Sequence, residues 1–329
     1  MNTYRFLWID DDHVRKDFCD SIEAARFPGL GRAKVEFVDV RNRDLTEVIS
    51  GELKTQKPHL VILDHFLNNA KGLVKLGSSL SELLREKWPR CPIVAVTGAQ
   101  KEADIGTLTR DQYDEVFSIS DMLDNRLSLF SLTVGYRRLG RNRPRSIEAI
   151  LRLLKCPPEA AELVKVILPS DLRDRFDDAT LVRRFSTWVR HTLQAKPGPL
   201  YDRKWIANHL GLNEDGFRKV ESKFRSAKYD GIFCSIDLWW TSKVRNLLYQ
   251  LTKANSQDLP WIAGRKLPGV SPSDQSKCRR CQKRSPELLG YSDLAENAKL
   301  VPLHLACSKP HPRLNAPPHF EEWRVMVSD

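Results

Sequence analysis

Two short runs, "LVIL" at 60–63 and "PIVAV" at 92–96, contain no polar side chain at all. A strand that is apolar on both faces must be covered on both, as in the middle of a parallel sheet flanked by helices. The surrounding segments fit that frame. "YRFLWI" (4–9) is an apolar strand, "VRKDFCDSIEAARF" (14–27) has helical spacing, and "KVEFVDV" (34–40) alternates like a half-buried strand. "RDLTEVISGELKTQ" (43–56) and "LVKLGSSLSELLREKW" (73–88) read as helices, and a weaker helix is expected at about 100–112. "EVFSIS" (115–120) then gives a strand and "DMLDNRLSLFSLTVGYRR" (121–138) a helix. Five strands alternating with five helices predict an α/β fold over residues 1–138, a doubly wound five-stranded parallel sheet.

In such sheets ligands sit outside the carboxyl ends of the strands. Asp10, Asp11 and Asp12 follow the first strand, Asp64 ends the third and Thr97 ends the fourth. Carboxylates brought together repel unless a cation neutralises them, and an all-oxygen set suits Mg²⁺. On these residues residues 1–135 resemble a response-regulator receiver domain, of flavodoxin-like fold. "FLWIDDD" resembles the segment whose acidic pair holds Mg²⁺, with Asp10 and Asp11 the best match. "LVILDHFLNNAKG" places Asp64 at the phospho-acceptor position and Phe66 where the family gives the metal a backbone carbonyl. "IVAVTG" places Thr97 as the hydroxyl that senses the phosphoryl group. The resemblance implies a histidine kinase as partner and two-component signalling. It departs from the family at the fifth strand, where "EVFSISDM" has Ser118 or Ile119 in place of the usual lysine. Two readings stay open: phosphotransfer to Asp64, or an inherited, unused pocket in a fixed docking or dimerisation module.

Charge separates the two halves of the chain. Residues 1–140 hold 20 Lys+Arg against 21 Asp+Glu, so 33 against 21 fall in residues 141–329. The basic excess points there for a polyanionic partner. A basic linker is expected at 139–145, a mainly helical domain at 146–262, and a second linker at 263–277. Within the helical part, "YDRKWIANHLGLNEDGFRKVESKFRSAKYDGIF" (201–233) has the logic of a helix-turn-helix, with Asn213 capping the second helix. Phe217, Val220 and Phe224 form its core face, while Arg218, Ser222 and Arg225, flanked by Lys219 and Lys223, form a face suited to DNA. "KYDGIFCSIDLWW" (228–240) could add a short wing, and Trp239 and Trp240 are expected in the core rather than on bases.

The last segment, 278–329, carries Cys278, Cys281, His304 and Cys307 as two x₂-spaced pairs 22 residues apart. Three thiolates and an imidazole form a closed tetrahedral Zn²⁺ site, so a structural metal is expected. The other four cysteines are scattered and suit small buried apolar positions. Zinc folds of this kind also carry HNH-type nucleases, and His311 and His319 lie downstream near Asn315, Glu321 and Glu322, but without the full motif.

With 41% hydrophobic and 29% charged residues, no signal-peptide pattern and no long apolar run, the sequence reads as cytoplasmic, with no membrane partner. The combined expectation is a receiver, able to pair as a homodimer, that controls a winged-helix DNA-binding output and is followed by a zinc module. The alternatives are a protein-interaction adaptor and, further off, a zinc-scaffolded nuclease.

Overall fold

The computed structural model describes residues 2–51, 53–54, 57–72, 75–98, 112–173, 178–255, 257–295, 298–311 and 325–327. The chain forms two compact units. The first is Met1–Ser146 with Asp171–Thr187, the second Ile147–Ser170 with Trp188–Asp329.

The first unit is built on a parallel sheet of β1 (Thr3–Asp10), β2 (Arg32–Asp39), β3 (Leu60–Asp64), β4 (Ile93–Thr97) and β5 (Glu115–Ser118), in the order β2-β1-β3-β4-β5. That order with parallel pairing is the flavodoxin-like fold. All five residues of β3 and of β4 are buried, as their apolar runs require. Each such Val, Ile or Leu contributes about 1.5–3 kcal/mol on burial. The helices are α1 (Phe18–Ala24), α2 (Leu45–Ser50), α3 (Gly77–Lys87), α4 (Ile119–Asp124) and α5 (Arg126–Asn142).

Several boundaries differ from the sequence expectation. The helix expected from Val14 starts at Phe18, because His13–Asp17 winds as a 3-10 turn capped by the Asp12 carboxylate on Val14 N–H. The final helix is split at Asn125 into α4 and α5. Residues 139–145, expected as a linker, are helical as far as Asn142; Leu139 is buried and Arg143 then turns left-handed at φ 36°. The helix expected at 100–112 falls almost wholly outside the described residues. Beyond the sheet, buried Asp114 accepts from Ile93 N–H (2.8 Å), Arg85 Nη2 (3.1 Å) and the Tyr136 hydroxyl, tying α3, β4 and α5 together.

In the second unit α6 (Ile147–Leu153) and α7 (Pro158–Ile167) come first; α8 (Ala179–Trp188) falls in the first unit up to Thr187. The unit continues with β6 (Leu200–Asp202), α9 (Arg203–His209), α10 (Glu214–Val220), β7 (Leu238–Trp240) and α11 (Thr241–Thr252). β6 and β7 pair antiparallel, and Lys228 bridges to Trp239 on the other side. The helix pair thus sits between two strands that close on each other. Ile206, Phe217, Val220, Phe224 and Trp239 are fully buried in one core, with Trp239 edge-on to Phe217 at 5.4 Å. Gly211 makes the turn at φ +69°, a conformation that favours glycine.

Residues 263–277, expected to be loose, are ordered against this core. Asp274 accepts from Lys219 Nζ at 2.5 Å, its carbonyl accepts from Asn213 N–H at 2.9 Å, and a Cβ on Gly216 would lie 2.5 Å from that carbonyl. The absence of a side chain at Gly216 lets the segment approach. A four-stranded sheet, β10 (Ser308–Pro310), β11 (Val325–Val327), β8 (Leu288–Tyr291) and β9 (Leu300–Leu303) in that order, closes the chain.

His209 ends α9 with a buried Nε2 that has no hydrogen-bond partner among the described residues, its ring edge-on to Tyr201 at 5.7 Å. Burial, with the Arg245 charge, lowers its pKa from 6.5 to about 4. The unfolded chain takes up this proton below pH 6.5 while the folded one does not, so stability falls as pH drops from 6.5 towards 4. The loss reaches about 3 kcal/mol at most. The variant His209→Phe should flatten this part of the pH–stability curve, read as Tm of the full chain between pH 7 and 4.

Candidate functional site: an acidic pocket and a thiol cluster

The sheet order places β1 beside β3, the point where the chain reverses direction along the sheet. Asp10 ends β1, Asp64 ends β3 and Thr97 ends β4, so the edge brings together the residues that the sequence singled out. Asp10, Asp11 and Asp64 are all buried, and their facing oxygens lie within 4.8 Å of one another. Asp11 and Asp64 border a cavity of about 590 Å³ that is also lined by Phe66, Asn69, Thr97, His13, Arg15 and Arg41, with Asp10 buried behind them.

Each carboxylate is held from outside. Trp8 Nε1 donates to Asp10 Oδ2 at 3.0 Å and Asp12 N–H to Asp10 Oδ1 at 2.9 Å. Asn69 N–H donates to Asp11 Oδ2 at 2.5 Å. Burial, reinforced by the Asp10 charge, pushes Asp64 up to about 7, even with Arg15 pulling it down. Burial likewise raises Asp10 against the opposing pull of Arg15. Thr97 Oγ1 is fully buried with no hydrogen-bond partner among the described residues. A buried hydroxyl without a partner is costly, so this one fits a pocket built to receive a polar group.

Sequence reasoning missed Arg15. Its Nη1 lies 2.9 Å from Asp10 Oδ2 and 2.9 Å from Asp64 Oδ1, bridging the two carboxylates. Nothing in "HVRKD" distinguishes Arg15 from Lys16; the 3-10 winding of that turn sends one inward. At the end of β5, Ser118 is buried and uses its hydroxyl on Asp121 N–H (3.0 Å), Asp121 Oδ2 (2.7 Å) and Ser120 (3.0 Å). It caps α4 and brings no charge to the pocket. The three carboxylates suit a hard divalent cation, with Arg15 already between two of them.

In the second unit the ligand atoms of Cys278, Cys281, His304 and Cys307 also lie within 4.8 Å of one another. Cys278 and Cys281 come from a tight turn in which Cys278 N–H donates to the Lys283 carbonyl at 2.8 Å. His304 and Cys307 come from the 3-10 turn that follows β9. His304 turns Nδ1 to Cys281 Sγ at 3.3 Å, and Nε2 lies 3.1 Å from the Arg284 carbonyl. That outer hydrogen bond leaves Nδ1 as the metal-facing nitrogen. Burial opposes ionisation of Cys278, yet backbone N–H groups of Cys281, His304 and Arg280 bring its thiol down to about 6. Thiolate and oriented imidazole both fit a tetrahedral metal.

The residues expected on a DNA-facing helix are all solvent-exposed: Arg218, Lys219, Ser222, Lys223 and Arg225. They do not lie on one α-helix. After Val220 the chain tightens into a 3-10 stretch, Glu221–Ala227, because Phe224 and Ala227 are both drawn into the core at a spacing of three. Two of the cations are paired, Arg218 with Asp215 at 2.7 Å and Lys219 with Asp274. Of the nuclease candidates, His311 stacks edge-on to Tyr291, while Asn315, His319, Glu321 and Glu322 lie outside the described residues.

Replacing Asp64 with Asn removes one of three like charges while Arg15 stays. In EDTA the variant should melt higher, by about 1–2 kcal/mol of added stability, and calorimetry should show its Mg²⁺ binding lost. At the thiol cluster, elemental analysis should give one zinc per chain, and Cys278→Ser should lose it and expose the closing sheet to limited proteolysis.

No family model and no curated protein matches the chain. Among solved structures, NtrX from Brucella abortus is similar at 15% identity over 50% of this chain and 34% of that one, with a TM-score of 0.34. The present chain therefore spans about a third of NtrX. The receiver domain of Francisella response regulator 1452 is 14% identical over 41% of this chain and 98% of its own, with a TM-score of 0.30. The phosphorylated cyanobacterial phytochrome response regulator RcpA is 19% identical over 42% of this chain and 94% of its own, with a TM-score of 0.29. The first unit is a flavodoxin-like α/β domain by its own strand order, and these solved structures are what it is similar to.

Proposed function

We propose that this chain is a response-regulator-like signalling protein whose first unit accepts a phosphoryl group on Asp64 and whose basic second unit binds DNA. The observation that carries the first part is the buried trio Asp10, Asp11 and Asp64, two of which face a cavity also lined by Thr97, whose hydroxyl has no partner among the described residues. Asp10, Asp11, Asp64 and the Phe66 carbonyl would hold Mg²⁺, which supplies positive charge against which a phosphoryl group can approach. The Asp64 carboxylate attacks phosphorus, and the P–N bond of a phosphohistidine on a kinase breaks. The imidazole leaves with the electron pair and takes up a proton. Thr97 then donates its free hydroxyl to a phosphoryl oxygen.

The charge balance supports the second part, with 26 basic against 17 acidic residues in 147–170 and 188–329. A strand–helix–turn–helix–strand arrangement with exposed Ser222, Lys223 and Arg225 also favours a winged-helix output. The four-ligand cluster would hold Zn²⁺ in a structural role, since a closed set leaves no position for substrate. Among the described residues no helix is long and apolar enough to cross a membrane.

An adaptor is favoured by a specific observation too: Arg218 and Lys219 are already paired with Asp215 and Asp274. Titration of the full chain against mixed duplex DNA at two salt concentrations separates the two readings. The DNA reading expects affinity that falls steeply with salt, and about a tenfold loss for the double variant Lys223→Glu, Arg225→Glu. Affinity that is absent at low salt, or untouched by the charge reversals, would leave the adaptor.

A further inference from the structure

We infer that Arg15 is the phosphoryl-binding cation of the acidic pocket, held between Asp10 and Asp64 until a metal displaces it. The inference rests on the reading of Asp64 as phospho-acceptor and adds a residue to it. A phosphoryl group on Asp64 would carry about two negative charges and three acceptor oxygens into the cavity. The sheet edge offers little to meet them. Thr97 supplies one hydroxyl, and Ser118, directly opposite it in register, is occupied with Asp121 and Ser120. Among the described lining residues the basic ones are His13, Arg15 and Arg41. Arg41 is engaged at the rim, with Nη2 on Asp39 at 3.1 Å and Nη1 on His13 at 3.0 Å. Arg15 is the cation on Asp64 itself.

Its geometry leaves it partly unused. Nη1 makes both 2.9 Å contacts and Nε lies 3.8 Å from Asp12 Oδ2, while no described residue is paired with Nη2. Half of the guanidinium fork is therefore free for a planar, two-oxygen contact of the kind that arginine makes with phosphate. A divalent ion held by the acidic trio would draw on the same two carboxylates as Nη1, so the two cations would compete for them. The side chain is 16% exposed and rises from the short turn His13–Asp17, and rotation about its own bonds can carry the fork from the carboxylates into the adjoining cavity. Metal entry would thus release the very cation that the incoming phosphoryl group needs.

The inference makes opposite demands on one residue, and the full-length chain can test both. Mg²⁺ binding by calorimetry should strengthen about tenfold in Arg15→Gln, because a competing cation is gone. Beryllofluoride binding at saturating Mg²⁺ should weaken about tenfold in the same variant, because a charge-assisted contact is gone. Arg15→Lys should restore most of the beryllofluoride affinity. Equal or weaker Mg²⁺ binding in Arg15→Gln would overturn the competition and the inference with it. Beryllofluoride bound equally by wild type and Arg15→Gln would overturn the inference alone and leave Asp64 as acceptor. Wild type that binds no beryllofluoride at saturating Mg²⁺ would overturn the phospho-acceptor reading and this inference together.

Discussion

Carboxylates crowded at the end of a rigid sheet set the terms for the first unit. Two unit charges about 4 Å apart repel by about 4 kcal/mol at the effective dielectric of a protein surface, and more as water is excluded. Asp10, Asp11 and Asp64 cannot relax apart, because β1 and β3 are in register along four residue pairs and β3 is buried throughout. The apolar strands therefore do more than make a core. Their burial holds the acids in place, and the acids then require positive charge from somewhere. Arg15, Trp8 Nε1 and the backbone N–H groups of Asp12 and Asn69 meet part of that requirement. Burial, with the Asp10 charge behind it, still leaves Asp64 shifted up to about 7. A pocket in that condition has a standing affinity for cations, which is what a metal-assisted phosphoryl acceptor needs.

Much of this was legible in the sequence, and the reason is periodicity. "LVIL" and "PIVAV" admit little besides a covered parallel strand, and strand ends fix where Asp10, Asp64 and Thr97 must meet. Sequence patterns fail where a single turn decides direction. Arg15 and Lys16 are adjacent cations, and only the 3-10 winding from His13 to Asp17 chooses between them. The same holds at Val220: the spacing of Phe217, Val220 and Phe224 suits a continuous helix, but Ala227 is also drawn inside and the chain tightens. Gly and Pro in 263–277 suggested a linker. Asp274, which fixes that segment to Lys219 and Asn213, had no signal of its own.

The tightening after Val220 also bears on the second unit as a nucleic-acid surface. In an α-helix the side chains at 218, 222 and 225 would share one face. In a 3-10 stretch residues three apart eclipse, so Ser222 and Arg225 align while Arg218 belongs to the preceding α-helical face. The basic surface is consequently divided. One part, Arg218 and Lys219, is neutralised by Asp215 and Asp274, and the other, Lys223 and Arg225, is exposed with no ion pair to an acidic residue among the described residues. Phosphate contacts need free cations more than they need a regular helix. The second part is therefore where a polyanion would bind first.

The closing module depends on its ligands in a different way. On its strands Leu289, Val325 and Met326 are buried, and the cluster at the ligands consists of Cys278, Leu303 and Cys307, with Val301 and Val327 packed against it among the described residues. Two of the three buried residues of that cluster are the proposed metal ligands themselves. Without a metal the cluster reduces to one leucine between two thiols, and even with Leu289, Val325 and Met326 the buried apolar set stays small against the entropy of ordering four short strands. With a metal, the turn at Cys278–Cys281 and the turn at His304–Cys307 become one cross-linked point, and the strands β8 and β9 between them are fixed at both ends. In this module the metal site and the core share Cys278 and Cys307, so folding and metal binding should be coupled.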